Sequence, residues 1–140
     1  MSLDRGTKIY AAVLTAICLG TLFAWLMSLD FRLEEIDELI RQDAQISSYP
    51  YPFRVLDIEG TTAVLSTPRS NAMPAVRFLG LIKPGLKYLD EQDPKLIAAQ
   101  KELATIQSKV GKLVLRRNDI ERVSWRLDKE WFAEKGIWLQ

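Results

Sequence analysis

Few groups in this chain can do chemistry, and two absences narrow the choice further. There is no histidine, so imidazole general bases, histidine-ligated metals and histidine-ligated haem are excluded. The single cysteine, Cys18, lies inside the longest apolar run. No intrachain disulfide, CxxC redox pair, c-type haem attachment or cysteine-rich zinc site can be assembled from it. Asp90, Glu91 and Asp93 cluster closely enough to offer oxygen ligands to a hard cation. They also precede a helix start, where carboxylates cap the first turn and complement its dipole. Ser66, Ser70 and Ser108 have no imidazole to activate them, and Lys109 and Lys112 stand at no spacing that marks a Ser-Lys dyad. Neither usual Gly-rich phosphate loop occurs. These residue types predict no enzyme, no metal, no cofactor and no small-molecule substrate.

One electrostatic feature remains. Lys109, Lys112 and Arg116 share a helix face, and Arg117, Arg122 and Arg126 follow closely. Such a face meets water, anionic lipid headgroups or an acidic partner surface. Nucleic acid is not expected, because the net charge is only +1 and a membrane anchor would tether the domain. The charge is unevenly spread. Residues 30–43 hold six acids against Arg32 and Arg41, whereas residues 44–140 hold 15 bases and 11 acids.

The elements that would position these groups begin with a membrane segment. Residues 9–29 (IYAAVLTAICLGTLFAWLMSL) form 21 uncharged positions, and at ~1.5 Å per residue a helix of that length covers a hydrocarbon core of ~30 Å. A cleavable signal peptide has a shorter apolar run and a small-x-small exit, but here Trp25, Leu26 and Met27 occupy the exit. The reading is an uncleaved single-pass anchor. Arg5 and Lys8 precede it and acids dominate after it, which favours an N-terminus inside and a domain outside. For a bacterial cell that means the inner membrane, a cytoplasmic flank over 1–8 and a periplasmic domain.

Two patterns run along this helix. Ala12, Ala16, Gly20, Ala24 and Ser28 recur every four residues, a spacing of small side chains that lets a second membrane helix approach closely. Leu19, Leu22, Leu26, Leu29, Leu33, Ile36 and Ile40 alternate in steps of three and four. Beyond the bilayer, Leu33, Ile36 and Ile40 predict that the helix continues as an amphipathic juxtamembrane segment over 30–44. Its stripe either docks on the chain's own domain or meets a partner helix.

Residues 45–52 (QISSYPYP) read as a linker, since two prolines and two serines favour extended backbone. Residues 53–140 then read as a small α+β domain. Residues 53–67 predict a β-hairpin turning at Glu59-Gly60-Thr61. Val76, Leu79 and Ile82 predict a short helix capped by Ser70 or Asn71, although Val76, Phe78, Gly80 and Ile82 also alternate as a strand would. Asp93 before Pro94 starts a long amphipathic helix with Leu96, Ala99, Leu103, Ile106, Val110 and Leu113 on its buried stripe. Val123, Trp125 and Leu127 alternate against Arg122, Ser124 and Arg126 as a third strand. Asp128 begins a final short helix that ends at Gly136, with Trp131 and Trp138 as packing residues.

The order helix, strand, strand, helix or helices, strand, taken with Val55-Leu56-Asp57-Ile58-Glu59-Gly60, Val64-Leu65-Ser66 and Asn118-Asp119-Ile120-Glu121-Arg122-Val123, resembles the BON domain over residues 33–127. Thr67 stands where that family tends to carry glycine, and residues 70–94 read as an insertion. The resemblance implies a small envelope module that binds phospholipid or neighbouring envelope proteins. The reading as a whole is a non-enzymatic accessory, scaffolding or assembly subunit of an envelope membrane-protein complex, with a membrane-protein partner or a homo-oligomer. The alternative is a membrane-tethered module binding anionic lipid headgroups through Lys109, Lys112 and Arg116.

Overall fold

A computed structural model describes residue 2 and residues 4–140, except the side chains of residues 29 and 30. The chain opens with one continuous helix, α1 (Arg5–Gln42), started by Asp4, whose carboxylate accepts from the Arg5 N–H at 2.8 Å. Its two halves have opposite fates. Residues 5–28 are exposed throughout and include a stretch long and apolar enough to cross a membrane. Further along, Ile36 and Ile40 are fully buried and Leu33 packs against them. The Leu29 member of the seam lies outside the described side chains.

Asp43 ends α1 and starts α2 (Ala44–Ser47), accepting from the Gln45 and Ile46 N–H groups at 3.0 and 3.1 Å. The linker expected over 45–52 is not one. Ile46, in α2, and Tyr49 and Tyr51 after it are buried; past α2, Pro50 and Pro52 bias the chain to extended backbone. Tyr51 lies edge-on to Phe53, Phe78 and Trp131 at centroid distances of 4.8, 5.9 and 5.3 Å. The folded unit therefore begins near Arg32 in α1, not at position 53.

Three strands form one sheet in the order β1 (Val55–Glu59), β2 (Thr62–Thr67), β3 (Arg122–Leu127). The first two make the expected antiparallel hairpin, with Gly60 at φ +64° supplying the left-handed turn position. β3 pairs parallel to β2, Thr62 opposite Arg122 through Thr67 opposite Leu127. A parallel pair needs a crossover, and α3 (Ala75–Ile82), a 3-10 turn (Pro84–Leu86) and α4 (Pro94–Leu115) provide it.

The segment over 75–82 is a helix, but neither Ser70 nor Asn71 caps it; Pro74 stands at its N-cap position and makes no side-chain cap bond. The Ser70 hydroxyl instead accepts from the Ala72 and Met73 N–H groups, closing the loop one turn earlier. α4 starts at Asp93 as its sequence dictates and buries Leu96, Ala99, Leu103, Ile106 and Val110. Leu113 is only partly buried and Val114 takes its place, since a 3.6-residue period carries the stripe one position round by the last turn.

Asp128 caps α5 (Lys129–Glu134) by accepting from the Trp131 N–H at 3.2 Å. The same buried carboxylate accepts from the Tyr51 hydroxyl and the Arg54 guanidinium, both at 2.8 Å. Trp131 and Phe132 join the core. Trp138 does not: it is 83% exposed, lying beyond Gly136 where the helix has stopped.

Candidate functional site

Several of the groups considered first for chemistry are used structurally. Asp90 and Asp93 accept backbone N–H bonds from Gln92 and Lys95 at 3.1 and 2.8 Å. Among the described residues no acidic cluster is arranged to hold a cation. Ser66 is fully buried in β2 and accepts from the Arg54 N–H. Tyr49 is 7% exposed, and burial pushes its hydroxyl up to about 12.

Ala12, Ala16, Gly20, Ala24 and Ser28 are all exposed along the first half of α1. A Cβ built on Gly20 meets nothing within 4 Å, so room exists there for a second helix backbone to approach. Ser28 satisfies its hydroxyl on the Trp25 carbonyl at 2.8 Å. The stripe Leu33, Ile36, Ile40 is different. Its two isoleucines are consumed by the chain's own core, so of the two uses left open for it, docking on the domain is the one observed, and a partner helix has no access to them. What α1 presents outward at this level is a shallow groove of about 500 Å³ lined by Phe31, Glu34, Glu35, Glu38 and Leu39.

The basic face is not one face. Lys109 is engaged by Asp43 at 3.1 Å and by the Gln45 side chain at 2.8 Å. Arg117 is mostly buried between Asp119, at 2.8 Å, and Glu35, at 3.0 Å. Asp119 also receives Arg32 at 3.1 Å. The Arg117 hydrogen bonds hold the Asp119 carboxyl down at about 2 despite its partial desolvation. Arg126 faces Glu59 at 3.6 Å. Lys112, Arg116 and Arg122 are exposed and have no carboxylate partner among the described residues.

These pairs also fix how the helices run. Reading down α1, Asp43 meets Lys109, Glu35 meets Arg117 and Arg32 meets Asp119, so α4 runs antiparallel to α1. Arg32 also donates to the Gly60 carbonyl at 3.3 Å. The hairpin turn and the α4–β3 loop therefore sit together at the end of the domain from which the apolar half of α1 departs.

A groove of about 530 Å³ lies between α4 and β3. Gly111, Leu115, Val123 and Trp125 give it an apolar floor, and Lys112 and Arg122 stand on its rim. Gly111 lets the ring come close: a Cβ there would sit 3.3 Å from Trp125 Cζ2, and the ring would have to give by a few tenths of an ångström. Sequence reading missed this groove, since its walls are joined only by the crossover. Their common marker, small Gly111 in an otherwise bulky helix, has no meaning until Trp125 is placed over it. Comparison with protein-family models, curated proteins and solved structures finds no match.

Proposed function

We propose that this chain is a single-pass inner-membrane protein that serves as a non-enzymatic accessory, scaffolding or assembly subunit of an envelope membrane-protein complex, its domain periplasmic. One observation carries the reading: α1 is a single helix whose first half is exposed and apolar and whose second half is domain core. The helix runs unbroken from Arg5 to Gln42. A partner that binds the first half through the small-residue face therefore also fixes where the domain points. Purification in mild detergent tests this. Stoichiometric membrane-protein partners or a defined oligomer are expected, lost on Gly20→Leu. A chain that always emerges alone and monomeric contradicts it.

A second reading, contact with anionic headgroups, is favoured by the antiparallel run of α4. With the hydrocarbon boundary at residue 29, Arg32 and the loop it holds stand about 5 Å beyond it. That is within a headgroup layer of roughly 5–8 Å. Lys109, level with Asp43, stands about 21 Å out. This reading therefore belongs to Arg116 and Arg122 at the foot of the domain, and Lys109 has no part in it. In full-length protein reconstituted in nanodiscs, amide exchange over 116–122 should slow when phosphatidylglycerol replaces phosphatidylcholine. Equal exchange in the two lipids ends the reading.

A further inference from the structure

We infer that the open edge of β3 and the groove beside it take up an extended segment of another protein, one that alternates apolar and acidic residues. Three observations carry this. First, β3 is an edge strand with a known hydrogen-bond phase. The Arg122 and Asp128 N–H groups donate to the carbonyls of Thr61, just before β2, and Thr67, at its end, so in a parallel ladder the N–H and C=O groups of Val123, Trp125 and Leu127 point away from β2. No strand takes them up among the described residues. A row of unpaired backbone groups is a template for strand addition, with affinity from the main chain and selectivity from adjacent pockets.

Second, that edge is bordered by the apolar floor of Gly111, Leu115, Val123 and Trp125. Alternate residues of an added strand would enter it. Charges on an edge strand ordinarily discourage pairing. Here Arg122, Ser124 and Arg126 form the exposed set of β3 and the other three residues form the half-buried set, so the arginines leave the floor itself clear.

Third, the rim selects charge. Lys112 and Arg122 are exposed cations without carboxylate partners among the described residues, facing the single acid Glu121. Residues of the added strand that point away from the floor would share the face of Arg122 and would therefore be acidic, while Lys112, on α4, borders the floor side.

A second copy of the chain does not fit. Two β3 edges paired antiparallel are related by a twofold axis perpendicular to the sheet. α1 runs along β1, from Arg32 at the hairpin turn to Asp37, which accepts from the Val55 N–H at 2.8 Å. That axis would thus lie across α1 and send the two apolar segments in opposite directions. A twofold along the strands would bring identical residues level, whereas a parallel ladder staggers its outward residues by one.

The existence of a partner rests on the accessory-subunit reading; the shape and charge of the groove do not. The test uses the full-length chain in nanodiscs and two short acetylated peptides, valine alternating with glutamate and valine alternating with lysine. Amide exchange at Val123, Trp125 and Leu127 should slow about tenfold or more with the acidic peptide, an effect of roughly 1.4 kcal/mol, and not with the basic one. The double variant Lys112→Glu, Arg122→Glu should exchange those preferences. No slowing with millimolar acidic peptide overturns the proposal, and so does equal slowing with both. A chain that purifies alone yet binds the acidic peptide retains the groove and loses the subunit reading. Stoichiometric partners with no effect at the three amides give the reverse.

Discussion

Several carboxylates hold elements together, and their protonation has opposite signs. Asp37 closes the outer edge of β1 by accepting from Val55, and burial raises its pKa even against that bond and the charge of Arg41. A raised carboxyl binds its proton more tightly when folded, so its contribution is largest at low pH and declines as pH rises through the raised value. Asp37→Asn keeps the acceptor and sheds the buried charge, so melting at neutral pH should be unchanged or raised. Asp37→Ala strands the Val55 N–H and should cost about 1–3 kcal/mol in urea unfolding. Asp119 has the other sign. Held down at about 2 by Arg117, it contributes stability above the unfolded-chain value of ~3.9 that is lost as pH falls toward 2. Acid titration of Asp119→Asn should lack that component, and an unchanged acid profile would contradict the assignment.

Among the elements, α4 was readable from its sequence because every signal agreed. Asp93 and Pro94 start it, five of its six expected stripe residues are buried, and local pattern and tertiary demand coincide. Leu103→Ala removes a fully buried side chain from its centre and should cost about 2–5 kcal/mol, read as a lower urea midpoint with an unchanged slope. Residues 45–52 misled because proline and serine advertise a loop locally. The groups that bury Tyr51, namely Asp128, Trp131 and Phe78, lie far along the chain. Trp138 misled in the opposite sense, since its size suggests packing and only the stop at Gly136 shows it has left the core. The hairpin and third strand were legible from alternation. Their parallel partnership, and the groove it creates with α4, depends on the crossover and was not.

For the whole molecule, the features that matter lie between elements, where sequence periodicity is silent. The split of the basic residues into paired Lys109 and Arg117 and unpaired Lys112, Arg116 and Arg122 follows from where α1 docks. So does the withdrawal of Ile36 and Ile40 from any partner. Both follow from one helix, exposed and apolar in its first half, docking on the domain in its second, and the proposal that the first half crosses a membrane is the central claim. Fractionation of cells carrying the full-length chain tests it most directly. The chain should stay with the membranes through alkaline carbonate and be released only by detergent, and its recovery in the carbonate supernatant would contradict the account.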